Sequence, residues 1–306
     1  MSVEETVALA RRGDRRATAR LLTAVENQTG DAAEVAALTA GGDARVVGVT
    51  GSPGVGKSTL VSALIGAWRE AGLRVAVLAV DPSSPFSGGA ILGDRVRMAD
   101  HALDEGVYIR SVATRGHLGG LAATTSAGVR LLEGLGFDVV IVETVGVGQA
   151  EVEIAALADT TLLLLAPGMG DGIQAVKAGV VEIADVYVVN KADRPGADAV
   201  VRDLKAMMSL VKREPREWRQ PVVKTVAQEG GGVDELVAAI AKHRDHLDGD
   251  DRLAVKRRER AAAEIRARVD AALVRRYAVP EDLAEAVATG RTDAAEAARR
   301  VLGDTA

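Results

Sequence analysis

Residues 51–58 combine glycines, a lysine and a serine in a spacing that binds nucleotide phosphates. Gly51 is followed after four residues by Gly56-Lys57-Ser58, which satisfies the P-loop pattern G-x-x-x-x-G-K-[ST]. Glycines let backbone N–H groups converge on phosphates, and a following helix directs its positive end at them. Lys57 is expected to reach the β- and γ-phosphates, and the Ser58 hydroxyl to bind Mg²⁺. The residues predicted to line the phosphates are Gly51, Ser52, Pro53, Gly54, Val55, Gly56, Lys57, Ser58 and Thr59.

A second polar run, Asn190-Lys191-Ala192-Asp193, follows an apolar stretch and has the form Asn-Lys-x-Asp that reads guanine in GTPases. Guanine offers two adjacent donors, N1–H and the 2-amino group, which one carboxylate can accept together. Adenine lacks this pair, so a buried Asp193 without a partner would penalise ATP. Asn190 is expected to tie the loop to neighbouring segments, and the Lys191 stem to lie along the base. The sequence therefore predicts a guanine nucleotide as the ligand.

Residues Thr225-Val226-Ala227 end a later apolar run. They lie where GTPases place a short loop whose backbone N–H contacts the guanine oxygen. We therefore add Thr225, Val226 and Ala227 to the predicted nucleotide-binding residues.

The stretch from Phe137 to Gly146 is an apolar run that ends in an acid and continues as the D-x-x-G type of loop, with Glu143 in place of Asp. Such a carboxylate holds Mg²⁺ directly or through water, and Gly146 can approach the γ-phosphate. Ras-like proteins place a water-orienting Gln directly after that glycine, whereas this chain has Val147. Slow intrinsic hydrolysis is the prediction, with Gln149 or a partner supplying help.

Two further carboxylates are candidates for the same metal. Asp81 ends an apolar run, and Asp94 follows the glycine-rich stretch 83–93 and opens a helix-like segment. The functional interpretation is a switch loop that carries Mg²⁺-linked carboxylates. A strand-end turn for Asp81 and a helix N-cap for Asp94 are the structural alternatives, and both stay open.

The elements that must position these residues alternate along the chain. Helical runs separate the apolar runs, which is typical of parallel βαβ units. The predicted fold class is α/β: a P-loop NTPase with a doubly wound, mostly parallel sheet of about seven strands and with helical N-terminal and C-terminal extensions. Strands are predicted at 45–50, 74–80, 107–112, 138–143, 160–165, 186–190 and 222–225, and helices at 57–71, 118–135, 196–211 and 232–247.

Three regions follow from this pattern: an N-terminal helical arm (1–43), a G domain (44–248) and a C-terminal helical dimerisation region (249–306). The arm shows no chemistry and is interpreted as a packing or interaction element. The long charged helix at 251–277 has an apolar seam of Leu253, Ile265, Val269 and Leu273. The seam alone leaves open whether this helix joins two subunits or packs back on its own.

Composition limits the other classes of function. The 306 residues contain no cysteine, which excludes disulfides and thiolate metal sites, and the net charge of −5 argues against nucleic acid as a partner. The basic runs Arg11–Arg20 and Lys256–Arg268 alternate with acids and are interpreted as solvated helix faces. No apolar segment is long enough to span a membrane and the N-terminus lacks the apolar stretch of a signal peptide, so we expect a cytoplasmic protein without membrane contact.

With these residues in hand, the chain resembles the MeaB/ArgK family, the bacterial G-protein chaperones of adenosylcobalamin-dependent methylmalonyl-CoA mutase, whose human relative is the methylmalonic aciduria type A protein. The resemblance covers nearly the whole chain. The most specific runs are Asp-Pro-Ser-Ser-Pro-Phe-Ser-Gly-Gly and Glu-Thr-Val-Gly-Val-Gly-Gln, at 81–89 and 143–149. Further matches lie at 48–60, 80–98, 114–120, 166–171, Gln174, Lys177, Gly179 and 190–193.

The resemblance implies a GTPase whose Mg²⁺ site is built from Ser58, Asp81, Asp94 and Glu143. It also implies a switch region at 168–177 that communicates with the mutase, and a homodimer formed through the C-terminal helices. Gly172 stands where relatives commonly have an acid, which puts a partner contact by that acid in doubt. The candidate catalytic residues are Lys57, Glu143, Gln149 and Lys177.

Two other functions are weighed. Family naming also carries the label of a kinase or ATPase of lysine/arginine/ornithine transport, but no acceptor-hydroxyl base beyond the NTPase site is visible in the sequence. A metal-delivery GTPase would need a cluster of Cys or His ligands, and the four histidines are spread along the chain. His101, His243 and His246 are interpreted as surface or packing residues, and His117 as a structural hydrogen-bonding residue.

Overall fold

The computed structural model of the chain describes residues 1–82, 98, 101, 103–114, 120–144, 150–168, 183–210 and 217–303. At 81–82, 113–114, 120–123, 150–152, 271 and 275 it describes the backbone alone. The described part contains a seven-stranded sheet in the order β3-β2-β4-β1-β5-β6-β7. Every pairing between neighbouring strands is parallel, so the predicted fold class is confirmed and the sheet is more uniformly parallel than expected.

The strands fall where the apolar runs predicted them. Their bounds are β1 Arg45–Gly51, β2 Val75–Pro82, β3 Val107–Thr114, β4 Val139–Thr144, β5 Thr160–Leu165, β6 Val186–Asn190 and β7 Val222–Thr225. The helices of the described residues are α1 Val3–Arg11, α2 Arg15–Asn27, α3 Ala32–Leu38, α4 Lys57–Glu70, α5 Gly120–Gly134, α6 Ala150–Leu157, α7 Ala197–Met208, α8 Val233–Asp248, α9 Arg252–Arg276, α10 Glu281–Ala288 and α11 Ala294–Leu302.

Helices cover both faces of the sheet, because the central strands carry apolar side chains at most positions and on both faces. β4 and β5 are buried along their whole length. Side chains alternate along a strand, so Val139 and Ile141 join the core under α4 and α8, and Val140 and Val142 join the core under α5 and α6. This two-sided burial is what a doubly wound parallel sheet requires.

The N-terminal helices pack on the sheet. Val7, Leu22 and Val35 belong to the same hydrophobic cluster as the strand residues on the α5 face. Arg110 of the edge strand β3 fastens α2, since its guanidinium bonds Glu26 Oε1 at 2.9 Å and the Ala19 carbonyl at 3.1 Å. The helical arm therefore has the packing role that the sequence suggested.

The long helix α9 packs against α5, and a buried carboxylate on α9, Glu264, accepts hydrogen bonds from α5. Glu264 accepts hydrogen bonds from Ser126 Oγ at 2.8 Å, from Arg130 Nη2 at 2.8 Å and from Arg268 Nε at 3.0 Å. The bonds from Ser126 and Arg130 hold α9 against α5.

The basic run on α9 corrects one expectation. Lys256–Arg268 was expected to form a solvated face, yet Lys256 Nζ donates to the Asp159 carbonyl at 2.8 Å. Arg260 is 10% exposed, lies between Asp159 and Glu133, and donates to the Leu157 carbonyl at 3.1 Å. The acids that partner these cations are far away in sequence, so helical spacing alone could not identify them.

Within the described ranges, no helix is long and apolar enough to span a membrane.

Candidate nucleotide site

The phosphate loop joins the end of β1 to the start of α4 at the carboxyl edge of the sheet. Its turns need glycine: Gly51 and Gly56 have φ of +144° and +98°, and a Cβ on Gly51 would lie 2.4 Å from the Leu164 carbonyl oxygen. Lys57 is buried, and its Nζ donates to the carbonyls of Gly51 at 2.7 Å and Ser52 at 3.2 Å. The loop therefore combines a lysine folded over it with the N-terminus of a 14-residue helix, the combination that binds phosphate.

The serine after Lys57 contacts the acid predicted to share its metal. Ser58 Oγ donates to Glu143 Oε1 at 2.8 Å, and both side chains are buried. The pairing follows from the sheet, since β1 and β4 are neighbours with Val49 opposite Glu143. A hydroxyl and a carboxylate side by side are oxygen ligands of the type Mg²⁺ takes.

Asn190 joins the phosphate loop to the two loops predicted for the base. Its Nδ2 donates to the Val55 carbonyl at 2.9 Å, and its Oδ1 accepts from Thr225 Oγ1 at 3.0 Å and from the Ala227 N–H at 3.2 Å. The side chain is 2% exposed. Three stretches that are far apart in sequence thus meet at one buried amide, as the Asn-Lys-x-Asp pattern predicted.

Gly56 must be glycine for a second reason: a Cβ there would lie 2.5 Å from Asn190 Nδ2. Lys191 adopts a left-handed φ of +56° and donates from Nζ to the Gly54 carbonyl at 2.7 Å. Asp193, two residues on, is exposed. Its carboxylate is exposed to solvent, where it can accept hydrogen bonds from a ligand.

Other predicted residues occupy the same edge in different ways. Val55 contributes its carbonyl, while its side chain belongs to the core. The N–H of Val226 donates to the Gly231 carbonyl at 2.8 Å, and that of Ala227 donates to Asn190. A guanine contact at this loop would therefore share or replace the longer Ala227 bond. Pro53 is exposed, and Ser52 and Thr59 are half-buried.

The other predicted metal and catalytic residues are described only in part. Asp81 is the penultimate residue of β2, with its backbone opposite Ala113 of β3, and its side chain is not described. Asp94, Gln149 and Lys177 lie outside the described residues, as do Gly146, Val147, Gly172 and His117. Their roles stay predictions. Among the described residues, no cluster of three or more His, Asp or Glu side chains is suited to a metal ion.

Two threonines at this edge were not singled out from the sequence. Thr144 Oγ1 donates to Thr50 Oγ1 at 3.2 Å, and both residues are fully buried, at 1% and 0% exposure. The available signal was a hydroxyl residue next to each motif, at the end of a valine-rich strand.

The described histidines have structural partners. His243 is buried, with Nδ1 2.8 Å from Thr160 Oγ1 and Nε2 3.3 Å from Asp185 Oδ1. Burial lowers the pKa of His243 to about 4, against the opposing charge of Asp185. His101 Nε2 lies 3.0 Å from Ser62 Oγ, and His246 contacts Arg252 and the Trp218 ring. These contacts support packing roles.

The sequence of the chain matches a known protein family. Residues 18–282 match the family described as methylmalonyl-CoA mutase-associated GTPase MeaB. A "Putative GTPase" of Pyrococcus abyssi is 51% identical over 270 residues, which span 86% of this chain and 83% of that protein. GTPase ArgK of Escherichia coli K12 is 37% identical over 290 residues, which span 92% of this chain and 88% of that protein.

Two further comparisons agree. The mitochondrial methylmalonic aciduria type A homolog of Mus musculus is 39% identical over 214 residues, covering 69% of this chain and 52% of that protein. A crystal structure described as a LAO/AO transport system kinase superposes with a TM-score of 0.74 at 28% identity, covering 98% of this chain and 96% of that one. The chain therefore belongs to the MeaB family of methylmalonyl-CoA mutase-associated GTPases and is a P-loop GTPase that binds guanine nucleotides.

Proposed function

We propose that this GTPase is a slow, GTP-dependent switch that gates cofactor loading and protects an adenosylcobalamin-dependent acyl-CoA mutase. The observation that carries the proposal is the junction at Asn190, which bonds the phosphate loop to both base loops. A ligand that spans these loops has phosphates at one end and a guanine at the other. The loops then respond together to which nucleotide is bound, as a switch requires.

The phosphates are assigned to residues 51–59, with Lys57 neutralising charge on the β- and γ-phosphates. The guanine is assigned to Asp193, with Lys191 along the base and Asn190 holding the loop. Thr225, Val226 and Ala227 complete the base side. The hydrogen bonds from Asn190 to Val55 and from Lys191 to Gly54 support these assignments, because they hold both loops at one edge.

The metal is assigned to Ser58 and Glu143, together with Asp81 and Asp94. The donor set fits Mg²⁺, since a hydroxyl and a carboxylate converge within 2.8 Å at the phosphate loop. When bound, Mg²⁺ supplies charge neutralisation of the β- and γ-oxygens. Ser58 and Glu143 supply the oxygens, and the sheet register between β1 and β4 fixes where they stand.

Hydrolysis is proposed to be slow without a partner. Val147 occupies the position after Gly146 and has no group that could orient water. Gln149 and Lys177 are the proposed sources of help; Gln149 lies in sequence between β4 and α6, and Lys177 in the proposed switch at 168–177. A switch of this kind spends most of its time loaded with nucleotide until a partner accelerates turnover.

Two descriptions, that of the family and that of a mouse relative, support a mutase as the proposed partner. The family is described as associated with methylmalonyl-CoA mutase, and the mouse relative is named for methylmalonic aciduria. The word kinase belongs to the name of a structural relative. A kinase needs a base for the acceptor hydroxyl, and the described residues at the phosphate loop supply none beyond Glu143. A metal-delivery function has no ligand cluster to support it within the described ranges.

The division into an arm (1–43), a G domain (44–248) and a C-terminal helical region (249–306) is retained as a proposal, with homodimerisation through the last region. Ile265, Val269 and Leu273 are exposed on α9 at a four-residue spacing, whereas Leu253 of the predicted seam is half-buried. An exposed apolar stripe on a long helix supports a subunit contact.

The proposal is tested by measuring GTP turnover of the purified chain with and without an adenosylcobalamin-dependent acyl-CoA mutase from the same source. Wild type should bind the mutase and turn over GTP at least about tenfold faster with it. Lys57→Ala should lose turnover in both conditions, while Lys242→Ala, an exposed lysine on α8, should behave as wild type. Failure of the mutase both to bind and to accelerate turnover would contradict the proposed partner.

A further inference from the structure

The last two residues of β4 make side-chain hydrogen bonds on opposite faces of the sheet. On the face of α4, Ser58 bonds Glu143. On the opposite face, Thr144 Oγ1 donates to Thr50 Oγ1 at 3.2 Å. Alternation along each strand places Thr50 on the side of Val46, and Thr144 on the side of Val142, in the core under α5 and α6.

Each threonine of the pair is adjacent in sequence to a residue of the proposed site: Thr50 to Gly51, and Thr144 to Glu143. Thr50 directly precedes Gly51, whose carbonyl accepts from Lys57 Nζ at 2.7 Å. Thr144 directly follows Glu143 and is the last residue of β4, at the point where the chain leaves for Gly146. A bond between these two hydroxyls therefore fixes the ends of β1 and β4, which carry Gly51, the acceptor of the Lys57 bond, and Glu143.

Neither position needs a hydroxyl for packing. The two strands otherwise use valine at most buried positions, among them Val46, Val49 and Val142. Valine has nearly the shape of threonine and buries no polar atom, whereas a buried hydroxyl is costly unless it is bonded. Two hydroxyls that satisfy each other in an apolar core restrict the geometry to one arrangement of the two strand ends.

We propose that Thr50 and Thr144 form a positioning pair for GTP hydrolysis, which holds Glu143 at a fixed position relative to the phosphate loop. They touch neither phosphate nor metal and act through Gly51 and Glu143. The inference rests on the proposed roles of Lys57, Ser58 and Glu143 in the site. It predicts that loss of either hydroxyl slows hydrolysis and leaves nucleotide affinity nearly intact.

The test is single-turnover GTP hydrolysis of the full chain at saturating GTP and Mg²⁺, alongside the GDP dissociation constant. Thr144→Val should lower the rate about tenfold or more, the factor that corresponds to one hydrogen bond. GDP affinity should stay within about threefold. Thr144→Ser restores the hydroxyl and should restore the rate. Thr50→Val is the second variant, and the double variant should be no slower than either single one, because all three remove the same bond.

Thr161→Val is the matched control. Thr161 is equally buried on β5, and among the described residues its Oγ1 has no hydrogen-bond partner, so its loss should leave the rate unchanged. A Thr144→Val rate within about threefold of wild type, failure of Thr144→Ser to restore it, or an equal loss in Thr161→Val would overturn the positioning pair. The proposed function of the site fails separately if wild-type hydrolysis is independent of Mg²⁺ or survives Lys57→Ala.

Discussion

Ser58 Oγ donates a 2.8 Å hydrogen bond to Glu143 Oε1, so the serine of the phosphate loop is paired with one carboxylate oxygen of the penultimate residue of β4. Because Glu143 Oε1 accepts this bond from within the chain, we expect the nucleotide-free protein to keep its fold without a cation at Glu143. We predict that EDTA leaves the melting temperature of nucleotide-free protein unchanged. The same treatment should weaken GTP binding by about 100-fold, because the phosphates lose their counter-charge. Differential scanning fluorimetry and equilibrium titration measure the two effects.

The charge of Glu143 should matter more than its hydrogen bond. Glu143→Gln keeps an oxygen that accepts from Ser58 and removes the negative charge, so fold stability should change little while the Mg²⁺ concentration for half-maximal hydrolysis rises about tenfold or more. Glu235→Gln, an exposed glutamate on α8, is the control for the loss of one charge. An unaltered Mg²⁺ requirement in Glu143→Gln would remove Glu143 from the metal site.

Asn190 should contribute to both stability and binding. Asn190→Ala removes the bonds to the Val55 carbonyl, Thr225 Oγ1 and the Ala227 N–H, three bonds made in a buried setting. We expect a loss of about 2–4 kcal/mol in the free energy of unfolding, at about 1 kcal/mol per bond. GDP affinity should fall as well, because the phosphate and base loops are no longer held together. Urea unfolding with and without GDP measures both. A stability loss without an affinity loss would show that the junction serves the fold alone.

The buried His243 predicts a loss of stability in acid. Its pKa is lowered to about 4 in the folded chain, mainly by burial, from about 6.5 when unfolded. Between these values the unfolded state binds the extra proton, so stability is fully present above about pH 6.5 and falls as the pH drops toward 4, by up to about 3 kcal/mol. His243→Gln should flatten this part of the stability profile, measured by urea unfolding at a series of pH values. A variant with the wild-type slope would assign the acid loss to other groups.

The exposed stripe on α9 predicts the assembly state. Val269→Asp places a charge at the middle of Ile265, Val269 and Leu273, and should convert a dimer to a monomer because an unpaired charge is costly in an apolar contact. Sedimentation velocity at micromolar concentration measures this. Leu103→Asp changes a more exposed apolar residue outside α9 and should keep the dimer. A wild-type chain that sediments as a monomer would contradict the proposed interface directly.

The strands were predictable from the sequence because the central ones contain uninterrupted runs of apolar residues. Val139–Val142 and Leu162–Leu165 are apolar without interruption, which parallel strands covered on both faces require. The strand order was not predictable in the same way. The pairing of Val49 with Glu143 on one side and Leu162 on the other depends on long-range contacts. The helix α6 was missed, since its apolar residues (Val152, Ile154, Ala155) run together without a clear helical period.

The site was predictable where a short motif carries the chemistry, as in Gly51–Ser58 and Asn190–Asp193. What the motifs could not show is which groups they meet. The Val55 carbonyl and the Ala227 N–H are ordinary backbone groups, and they become partners of Asn190 because three loops converge at one edge. The threonine pair and the buried cations of α9 were missed for the same reason: Thr50 and Thr144 are 94 positions apart, and Arg260 and Asp159 meet only in the fold.

The most direct test of the nucleotide assignment replaces one carboxylate oxygen of Asp193 by an amide nitrogen. In Asp193→Asn the side chain can still accept from N1–H but presents an amide donor toward position 2 of the base. Guanine has an amino group there and xanthine has an oxygen. The dissociation constants of GDP and of xanthosine diphosphate are measured by titration calorimetry for wild type, Asp193→Asn and the exposed control Asp203→Asn. We predict that Asp193→Asn loses about 100-fold in GDP affinity and gains xanthosine diphosphate, while the control stays selective for GDP. An Asp193→Asn variant that still prefers GDP would contradict the assignment of guanine to Asp193.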